Sequence, residues 1–246
     1  MKIQAIQAAI VALSASFSLS AQDLMIVKMN DNTIREFNMD IIRGVTFRAI
    51  GISCPDDNHP HAIDLGLQSG TKWACCNIGT TAPEEYGEYY AWGETWTKDA
   101  YTEKSYSYSV YKWYGSYEYI DIGDEIAGTQ YDVAHVKWGG LWQMPSSEQV
   151  DELMSDCFWD QVVYHGVNGM IVTGPNGKAL FLPAAGSSGE SGIYGKGKNG
   201  EYWSSSLTGS QYSISFAKTI YFTEDKVIST NGSLRFSGLT VRAVCR

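Results

Sequence analysis

Four histidines and five cysteines are the residues of this 246-residue chain whose chemistry suits metal binding or redox reactions, and two of the histidines are close in sequence. His59 and His61 flank a proline, and two imidazoles at this spacing can ligate one metal ion. A zinc site needs partner cysteines or histidines at C-x₂-C-like spacing, and no such pattern or carboxylate cluster at ligand spacing accompanies the histidines. The polar, proline-bearing segment is instead typical of a linker. We therefore predict no metal site and no cofactor.

The cysteines are odd in number, so at least one is unpaired within the chain or bonds to another molecule. They are Cys54, Cys75, Cys76, Cys157 and Cys245. Cys75 and Cys76 are adjacent and fall on opposite faces if their segment is a strand. One of the two can pair with Cys157, but the spacing leaves the disulfide pairing open.

Catalytic motifs have little support in the rest of the chain. The segment "GKGKNG", residues 195–200, matches the dinucleotide-binding pattern by letter, but the strand-like "EYWSSS" follows where that site needs a helix. We interpret it as a surface loop. No G-x-S-x-G elbow is present to support a hydrolase. His135 falls in a predicted short helix, where a structural role is expected.

The densest aromatic stretch is "SYSYSVYKWYGSYEYI", residues 105–120, with six tyrosines and one tryptophan. It is either a platform for a ligand such as a sugar or a wall of the fold. In its first half Tyr106, Tyr108, Val110 and Lys112 alternate with serines and Tyr111, which is typical of an extended segment with one packed face. That alternation favours the scaffold interpretation for the first half.

The second half, "YGSYEY", is the better candidate for exposed aromatic rings. Rigid tyrosines offer contact area at low entropic cost, a property that binding surfaces use. The predicted ligand-binding residues are Trp113, Tyr114, Tyr117, Tyr119, Tyr194, Tyr212 and Tyr221. No residue is predicted to be catalytic.

Two helices are predicted among many short strands. In "SSEQVDELMSDC", Ser146 can cap a helix with Gln149 completing a capping box, and Val150, Leu153, Met154 and Cys157 share one face. A shorter helix is expected at "QYDVAHVKW". In "WGGLWQMP", the Gly139–Gly140 pair predicts a close backbone approach between two packed tryptophans.

Strand-like runs fill much of the remaining chain. They are "TKWACCNI", "YYAW", "GMIVTG", "KALFLPAAG", "EYWSSSL", "YSISFA", "KTIYFT", "KVIST" and "LTVRAVC". Short runs of this kind, joined by turns and combined with two helices, predict an α+β fold.

The chain order predicts an exported protein with two structured parts. Residues 1–21 have a positively charged n-region, a short apolar stretch and small residues before a predicted cleavage site. This pattern indicates a signal peptide in preference to a buried helix. Residues 22–50 predict a short β-strand unit, with strands "MIVKM" and "IREFNM" around the turn "NDNT" and a closing "GVTF". Residues 51–61 predict a linker, and residues 62–246 form the main domain.

Charge and hydropathy exclude some partners. The net charge of −9 and the lack of a basic run argue against a nucleic-acid partner. After the first residues no apolar run approaches about twenty residues, so the chain is not expected to span a membrane. We expect it in the periplasm, at the cell surface or secreted.

Several motifs in one order resemble a known family. They are "IDLGLQSGTKWACCNIGTTAPEEYGEYYAWGET", "YSYSVYKW", "DVAHVKWGGLWQMPSSEQVDEL", "GVNGMIVTGPNGKALFLPAAG", "EYWSSSL" and "GLTVRAV". Together they resemble the Fibrobacter succinogenes major paralogous domain family, over about residues 62–246. That family is similar to the formylglycine-generating-enzyme, or sulfatase-modifying-factor, branch of the C-type lectin fold. The resemblance implies a C-type-lectin-like domain with small antiparallel sheets, two short helices and long irregular loops. It also implies an exported or cell-surface protein.

The functional residues of the related proteins transfer poorly. The enzymes bind copper through a cysteine pair near the C-terminal part of the domain, where this chain has only Cys245. The calcium-binding tripeptides of true C-type lectins do not occur. Hypervariable binding proteins of this fold diversify positions before a closing strand that resembles "GLTVRAV", where the chain has a single asparagine, Asn231.

The expected function is therefore a non-catalytic recognition or adhesion module. It would bind a glycan or a protein through loops around residues 99–131 and 186–235. Two alternatives stay open: a divergent enzyme of the formylglycine-generating type, and a structural subunit of a surface assembly that docks through its N-terminal strand unit.

Overall fold

The computed structural model describes residues 24–28, 34–38, 59–209, 214–224, 227–229 and 232–246. Contacts along the chain separate two units, Met1–Ala49 and Ile50–Arg246. The predicted signal peptide, most of the predicted linker, Cys54 and Tyr212 lie outside the described residues.

A two-stranded hairpin is the described part of the first unit. Strand β1 (Leu24–Lys28) pairs with β2 (Ile34–Asn38) in antiparallel register, with Leu24 opposite Asn38. These strands agree with the predicted "MIVKM" and "IREFNM", except that β1 begins one residue earlier, at Leu24. The predicted turn "NDNT" and the closing "GVTF" lie outside the described residues.

Short strands and two helices build the second unit. Its strands are β3 (Ala62–Asp64), β4 (Lys72–Ala74), β5 (Ser109–Tyr111), β6 (Tyr117–Tyr119), β7 (Phe158–Tyr164), β8 (Val167–Thr173), β9 (Ala179–Pro183), β10 (Ser187–Gly189), β11 (Gly192–Tyr194), β12 (Asn199–Leu207), β13 (Phe216–Thr223), β14 (Val227–Ser229), β15 (Ser233–Leu234) and β16 (Val244–Cys245). Its helices are α1 (Val133–Trp138) and α2 (Ser147–Asp156). This content is compatible with the predicted α+β fold.

The sheets of the second unit are small and antiparallel. One has the order β16-β4-β3, a second β7-β8-β9, and a third β12-β13-β14 with β15 also paired to β13. Two hairpins, β5-β6 and β10-β11, stand beside them. Strands β4, β9 and β12 bury residues of both faces in different core clusters.

Helix α2 follows the sequence prediction closely. The Ser146 hydroxyl accepts a hydrogen bond from the Gln149 backbone, and the Gln149 side chain accepts one from the Ser146 backbone, which completes the predicted capping box. Val150 and Leu153 are buried, and Met154 and Cys157 pack at the edge of the same core with Trp73 of β4 at its centre. The predicted apolar face is therefore confirmed.

A second core surrounds α1, and it corrects one prediction. Trp138 and Trp142 pack against this core, as expected, with ring centroids 5.4 Å apart. A Cβ atom at Gly139 or Gly140 would meet nothing within 4 Å, so the expected close backbone approach is wrong. Both glycines have positive φ, 68° and 58°, and this left-handed backbone explains why glycine is used there.

A buried arginine of the last segment joins two sheets. The Arg242 guanidinium donates to the carbonyls of Ala74, Cys75 and Phe181 and to the Asn77 side chain, at 2.7–3.1 Å. These acceptors belong to the end of β4 and to β9. The arginine of "GLTVRAV" therefore fixes the closing segment against both sheets.

The described cysteines Cys75, Cys76, Cys157 and Cys245 are free thiols. The pairing of Cys75 or Cys76 with Cys157 that the sequence allowed is therefore absent among the described residues. Within the same part of the chain, no helix combines the length and the apolar character needed to cross a bilayer.

Candidate binding surface

The hairpin β5-β6 displays two aromatic rings at its tip. Trp113 is 84% exposed and Tyr114 is 103% exposed, so both rings are almost entirely in solvent. Next to these two residues on the hairpin, the rings of Tyr111 and Tyr117 meet edge to face, with their centroids 5.5 Å apart. The Lys112 ammonium and the Glu118 carboxylate lie 2.6 Å apart on the same hairpin. We call residues 111–117 the aromatic tip.

The turn of the aromatic tip places a tyrosine in an unfavourable backbone conformation. Tyr114 has φ 60° and ψ 31°, and Gly115 has φ 81°. The Ser116 N–H donates to the Trp113 carbonyl at 3.4 Å, which closes a two-residue turn. Positive φ at both central residues is the requirement of a type I′ turn, which favours Asn-Gly. Tyrosine at the first position costs about 1–2 kcal/mol, yet it brings its ring fully into solvent.

Below the tip, tyrosines of the same stretch form the wall of the fold. Tyr106 and Tyr119 are buried in a cluster with Tyr101 and Ala91. Burial raises the pKa of both Tyr106 and Tyr119, so both hydroxyls stay protonated at neutral pH. The Tyr106 hydroxyl donates to the Trp92 carbonyl at 2.7 Å. The aromatic stretch thus divides into a buried base and an exposed tip.

Arg235 anchors this base from beneath. It is fully buried, and its guanidinium carbon lies 4.8 Å from the Trp92 ring centre and 5.5 and 5.6 Å from those of Tyr106 and Tyr119. It donates hydrogen bonds to the Tyr106 hydroxyl and to the Ile120 carbonyl, directly after β6. A planar cation stacked among aromatic rings holds them in fixed geometry. The hairpin therefore rises from a rigid support.

The predicted binding residues differ in their exposure. Trp113 and Tyr114 are exposed as expected, Tyr194 on β11 is 54% exposed, and Tyr117 and Tyr221 are half-buried. Tyr119 is 7% exposed, so its expected exposure is wrong, because it faces the cluster around Tyr106. Tyr212 lies outside the described residues.

The alternation predicted for the first half of the stretch holds only in part. Tyr106 is buried and Tyr108 is half-buried, but Val110 is 46% exposed and Lys112 is exposed. Strand β5 begins only at Ser109, and beyond it the chain leaves the body as a two-stranded hairpin. Only the base of this hairpin packs on the body, through Tyr119, so the alternation ends before Val110.

A shallow cleft of about 480 Å³ lies beside α1 and α2. Its lining includes His135, Trp142, Gln143, Gln149 and Arg246. Gln149 is already engaged, since it completes the α2 capping box and donates to Thr71 at 3.1 Å. None of the predicted binding residues lines this cleft.

Sequence reasoning missed one cluster. His59, His61 and Cys75 bring their ligand atoms within 4.8 Å of one another, although the histidines were expected in a linker without a partner. Hydrogen bonds hold the pKa of the Cys75 thiol well below its ordinary value; the largest contribution is from the Cys76 thiol, with burial acting in the opposite direction. The same bond raises the pKa of Cys76. A correct prediction of the pairing between β3 and β4 would have placed His61 beside Cys75.

Comparison of the chain with protein-family models, with curated proteins and with solved structures finds no match. The resemblance to the Fibrobacter succinogenes major paralogous domain family therefore stays a prediction from the motifs.

Proposed function

We propose that this chain is an exported, non-catalytic recognition or adhesion module of a C-type-lectin-like scaffold, acting in the periplasm, at the cell surface or after secretion. It binds a glycan or a protein, and the aromatic tip makes the central contact. The observation that carries the proposal is the pair Trp113 and Tyr114, both fully in solvent at the end of an anchored hairpin.

The backbone of the tip supports this function. An Asn-Gly turn would close the same hairpin at lower cost, and the chain instead holds Tyr114 in the left-handed region. Unfavourable conformations of this size cluster where residues contact ligands. An exposed ring contributes nothing to the core, so its use at this position favours a role in contact with a partner.

The support beneath the tip fits the same role. Trp and Tyr rings present a flat apolar face with a polar edge, which suits the apolar face of a sugar ring or a peptide side chain. Because Arg235, Trp92, Tyr106 and Tyr119 fix the hairpin base, little motion has to be frozen on binding. Preorganised aromatic rings of this kind act as anchors of binding surfaces.

A glycan array with and without calcium tests the proposal on the mature protein, residues 22–246. The variant Trp113→Ala/Tyr114→Ala removes the tip rings, and Phe158→Ala, an exposed aromatic on β7, is the matched control. We expect specific binding that the control keeps and the tip variant loses. If a glycan binds equally to both variants, the tip is not the site. If no glycan binds, the same pair of variants is compared in crosslinking to surface proteins.

One observation favours a second candidate, a structural subunit. In the N-terminal hairpin, Ile26 and Ile34 are each 60% exposed, and an isolated two-stranded hairpin is marginal in water. Apolar residues on such a hairpin suit docking to another chain. Size-exclusion chromatography tests this: concentration-dependent assembly that is lost when residues 22–50 are deleted supports the structural role, and unchanged elution excludes it.

The remaining alternative is a divergent enzyme of the formylglycine-generating type, and it depends on Cys245. This thiol is half-buried on β16, and burial raises its pKa. Stoichiometric Cu(I) binding that disappears in Cys245→Ser would favour the enzyme over the recognition module.

A further inference from the structure

Two imidazole nitrogens and one thiol sulfur converge at the start of the second unit. The Cys75 Sγ lies 3.3 Å from the His59 Nδ1 and 3.6 Å from the His61 Nδ1. The two rings meet edge to face with centroids 4.7 Å apart. Cys75 is fully buried, whereas both histidines are half-buried. The sulfur therefore forms the floor of the cluster and the rings form its rim.

The strand register brings His61 and Cys75 together, and His59 lies two residues before His61. Ala62 of β3 pairs with Ala74 of β4, so His61 and Cys75 form the next pair along the ladder. The Cys75 N–H donates to the His61 carbonyl at 3.0 Å, which extends the pairing by this step. Strand β4 is the central strand of its sheet and ends at Ala74, so Cys75 directly follows a strand that is paired on both sides. The pairing of His61 with Cys75 thus follows from the sheet, while His59 lies on the segment that precedes β3.

These distances match those between neighbouring ligands of one metal ion. Zinc bonds of about 2.3 Å to sulfur and about 2.0 Å to nitrogen at tetrahedral angles place the two ligand atoms about 3.5 Å apart. The two observed sulfur–nitrogen distances, 3.3 and 3.6 Å, bracket that value. A small movement of side chains is enough to admit an ion between the three atoms.

We propose that His59, His61 and Cys75 bind one zinc-class transition-metal ion through two imidazole nitrogens and one thiolate. Zn²⁺ takes four ligands, and a site with three protein ligands keeps its fourth position for water or another small ligand. Imidazole and thiolate together select borderline and soft ions over Mg²⁺ or Ca²⁺. The ion crosslinks the segment before β3 to the residue that directly follows the central strand of the sheet.

Neighbouring groups are arranged as second-layer support for such a site. The His61 backbone N–H donates to the Cys75 Sγ at 3.2 Å, and Arg242 donates to the Cys75 carbonyl at 2.9 Å. Hydrogen bonds of this kind orient metal ligands. A reactive cysteine paired with a histidine is the competing interpretation, but the sulfur is fully buried, and a second imidazole lies equally close to it. Three converging ligands favour the metal.

Cobalt titration of the purified, reduced full-length chain tests the proposal, because a thiolate bound to Co²⁺ gives a charge-transfer band in the near ultraviolet. We expect the band to saturate at one equivalent and to disappear when Zn²⁺ is added. The variant Cys75→Ser abolishes it. Removal of either imidazole, in His59→Ala or His61→Ala, weakens Co²⁺ binding at least about tenfold, since even support residues around a metal cost 10–100-fold.

Matched controls isolate the site. Cys157→Ser, Cys245→Ser and His135→Ala are expected to keep the band, since these residues lie outside the cluster. Zn²⁺ at about 100 times its Kd should raise the melting temperature by about 5 °C or more in the wild type. His59→Ala should lose that rise.

Three results overturn the proposal: no band in the wild type, a band that persists in Cys75→Ser, or a band lost in Cys245→Ser. If the buried Cys75→Ser variant does not fold, His59→Ala decides, because its half-buried ring can be removed without opening the core. Unchanged Co²⁺ affinity in a folded His59→Ala also overturns it.

Discussion

Replacement of Tyr114 by asparagine tests two properties of the aromatic tip separately: the backbone strain at position 114 and the contribution of the Tyr114 ring to ligand binding. Tyr114 is the first central residue of the type I′ turn, with φ 60°, and glycine already follows it at position 115. Tyr114→Asn therefore creates the Asn-Gly pair that this turn favours. The ring is 103% exposed, so its removal uncovers no core. We expect a more stable protein with a weaker binding surface.

The expected gain in stability follows from the backbone. A left-handed conformation costs an ordinary L-residue about 1–2 kcal/mol, and asparagine tolerates it far better. If most of this cost is relieved, the free energy of unfolding rises by about 1 kcal/mol. For a unit of this size such a gain raises the melting temperature by about 2–4 °C.

Differential scanning calorimetry of wild type and variant measures the shift. Tyr194→Asn is the matched control, since Tyr194 is also an exposed tyrosine, at 54%, but is not among the non-glycine residues with positive φ. This control should show no gain. Wild type and Tyr114→Asn are then compared in the ligand assay. Tyr114→Asn should bind the ligand more weakly although its melting temperature is higher.

An unchanged or lower melting temperature for Tyr114→Asn would refute the reasoning. It would mean either that the turn is not left-handed at position 114 or that the ring packs on a surface and is not free in solvent. A gain in stability with full retention of ligand binding would leave the turn argument intact but remove Tyr114 from the binding surface.

Two further substitutions test the packing of the second unit. Asp132 caps α1, and its two carboxylate oxygens accept four backbone N–H bonds at 2.8–3.1 Å. Asp132→Asn replaces one of these oxygens by an NH₂ group, so two of the four backbone N–H groups lose their acceptor. The free energy of unfolding, measured by chemical denaturation, should fall by about 2–4 kcal/mol. Burial raises the pKa of the Asp132 carboxyl and so already disfavours its charge, which reduces part of this loss. Gly186 has φ 68°, and a Cβ atom added there would lie 2.1 Å from the Tyr194 carbonyl oxygen. Gly186→Ala should therefore lower the free energy of unfolding by about 2–5 kcal/mol. Gly139→Ala has the same φ but open space and should cost only the backbone strain of its conformation, φ 68° and ψ −164°, about 1–3 kcal/mol; equal losses at the two glycines would contradict this expectation.

Local signals predicted helix α2 and several strands, but the predicted strand "YYAW" is wrong and only Val244–Cys245 of "LTVRAVC" is a strand. The capping box at Ser146 and the apolar spacing that ends at Cys157 depend on residues within one helix, and both are found in the structure. The strands of "GMIVTG" and "KALFLPAAG" correspond to β8 and β9, because a buried strand needs only a short apolar run between turns.

Long-range pairing explains what the sequence could not predict. Cys75 follows His61 by 14 residues, and only the register of β3 on β4 shows that the two are neighbours. Tyr117 and Tyr119 are two residues apart and so fall on the same face of a strand, yet only Tyr119 is buried, and Arg235, which lies against its ring, comes 116 residues later. The exposed and buried halves of the aromatic stretch therefore depend on contacts that periodicity does not encode.

The sheet β16-β4-β3 also determines how the second unit responds to a pulling force. Both outer strands run antiparallel to β4, so they are parallel to each other on its two sides. The chain enters at Ala62, opposite Ala74, and leaves at Cys245, opposite Lys72. Tension between these two points slides the outer strands along β4 in opposite directions. Because ladder hydrogen bonds lie perpendicular to the strands, they share this load together and do not open one at a time. A load applied through these strands therefore holds the sheet in shear, and its ladder hydrogen bonds must break together.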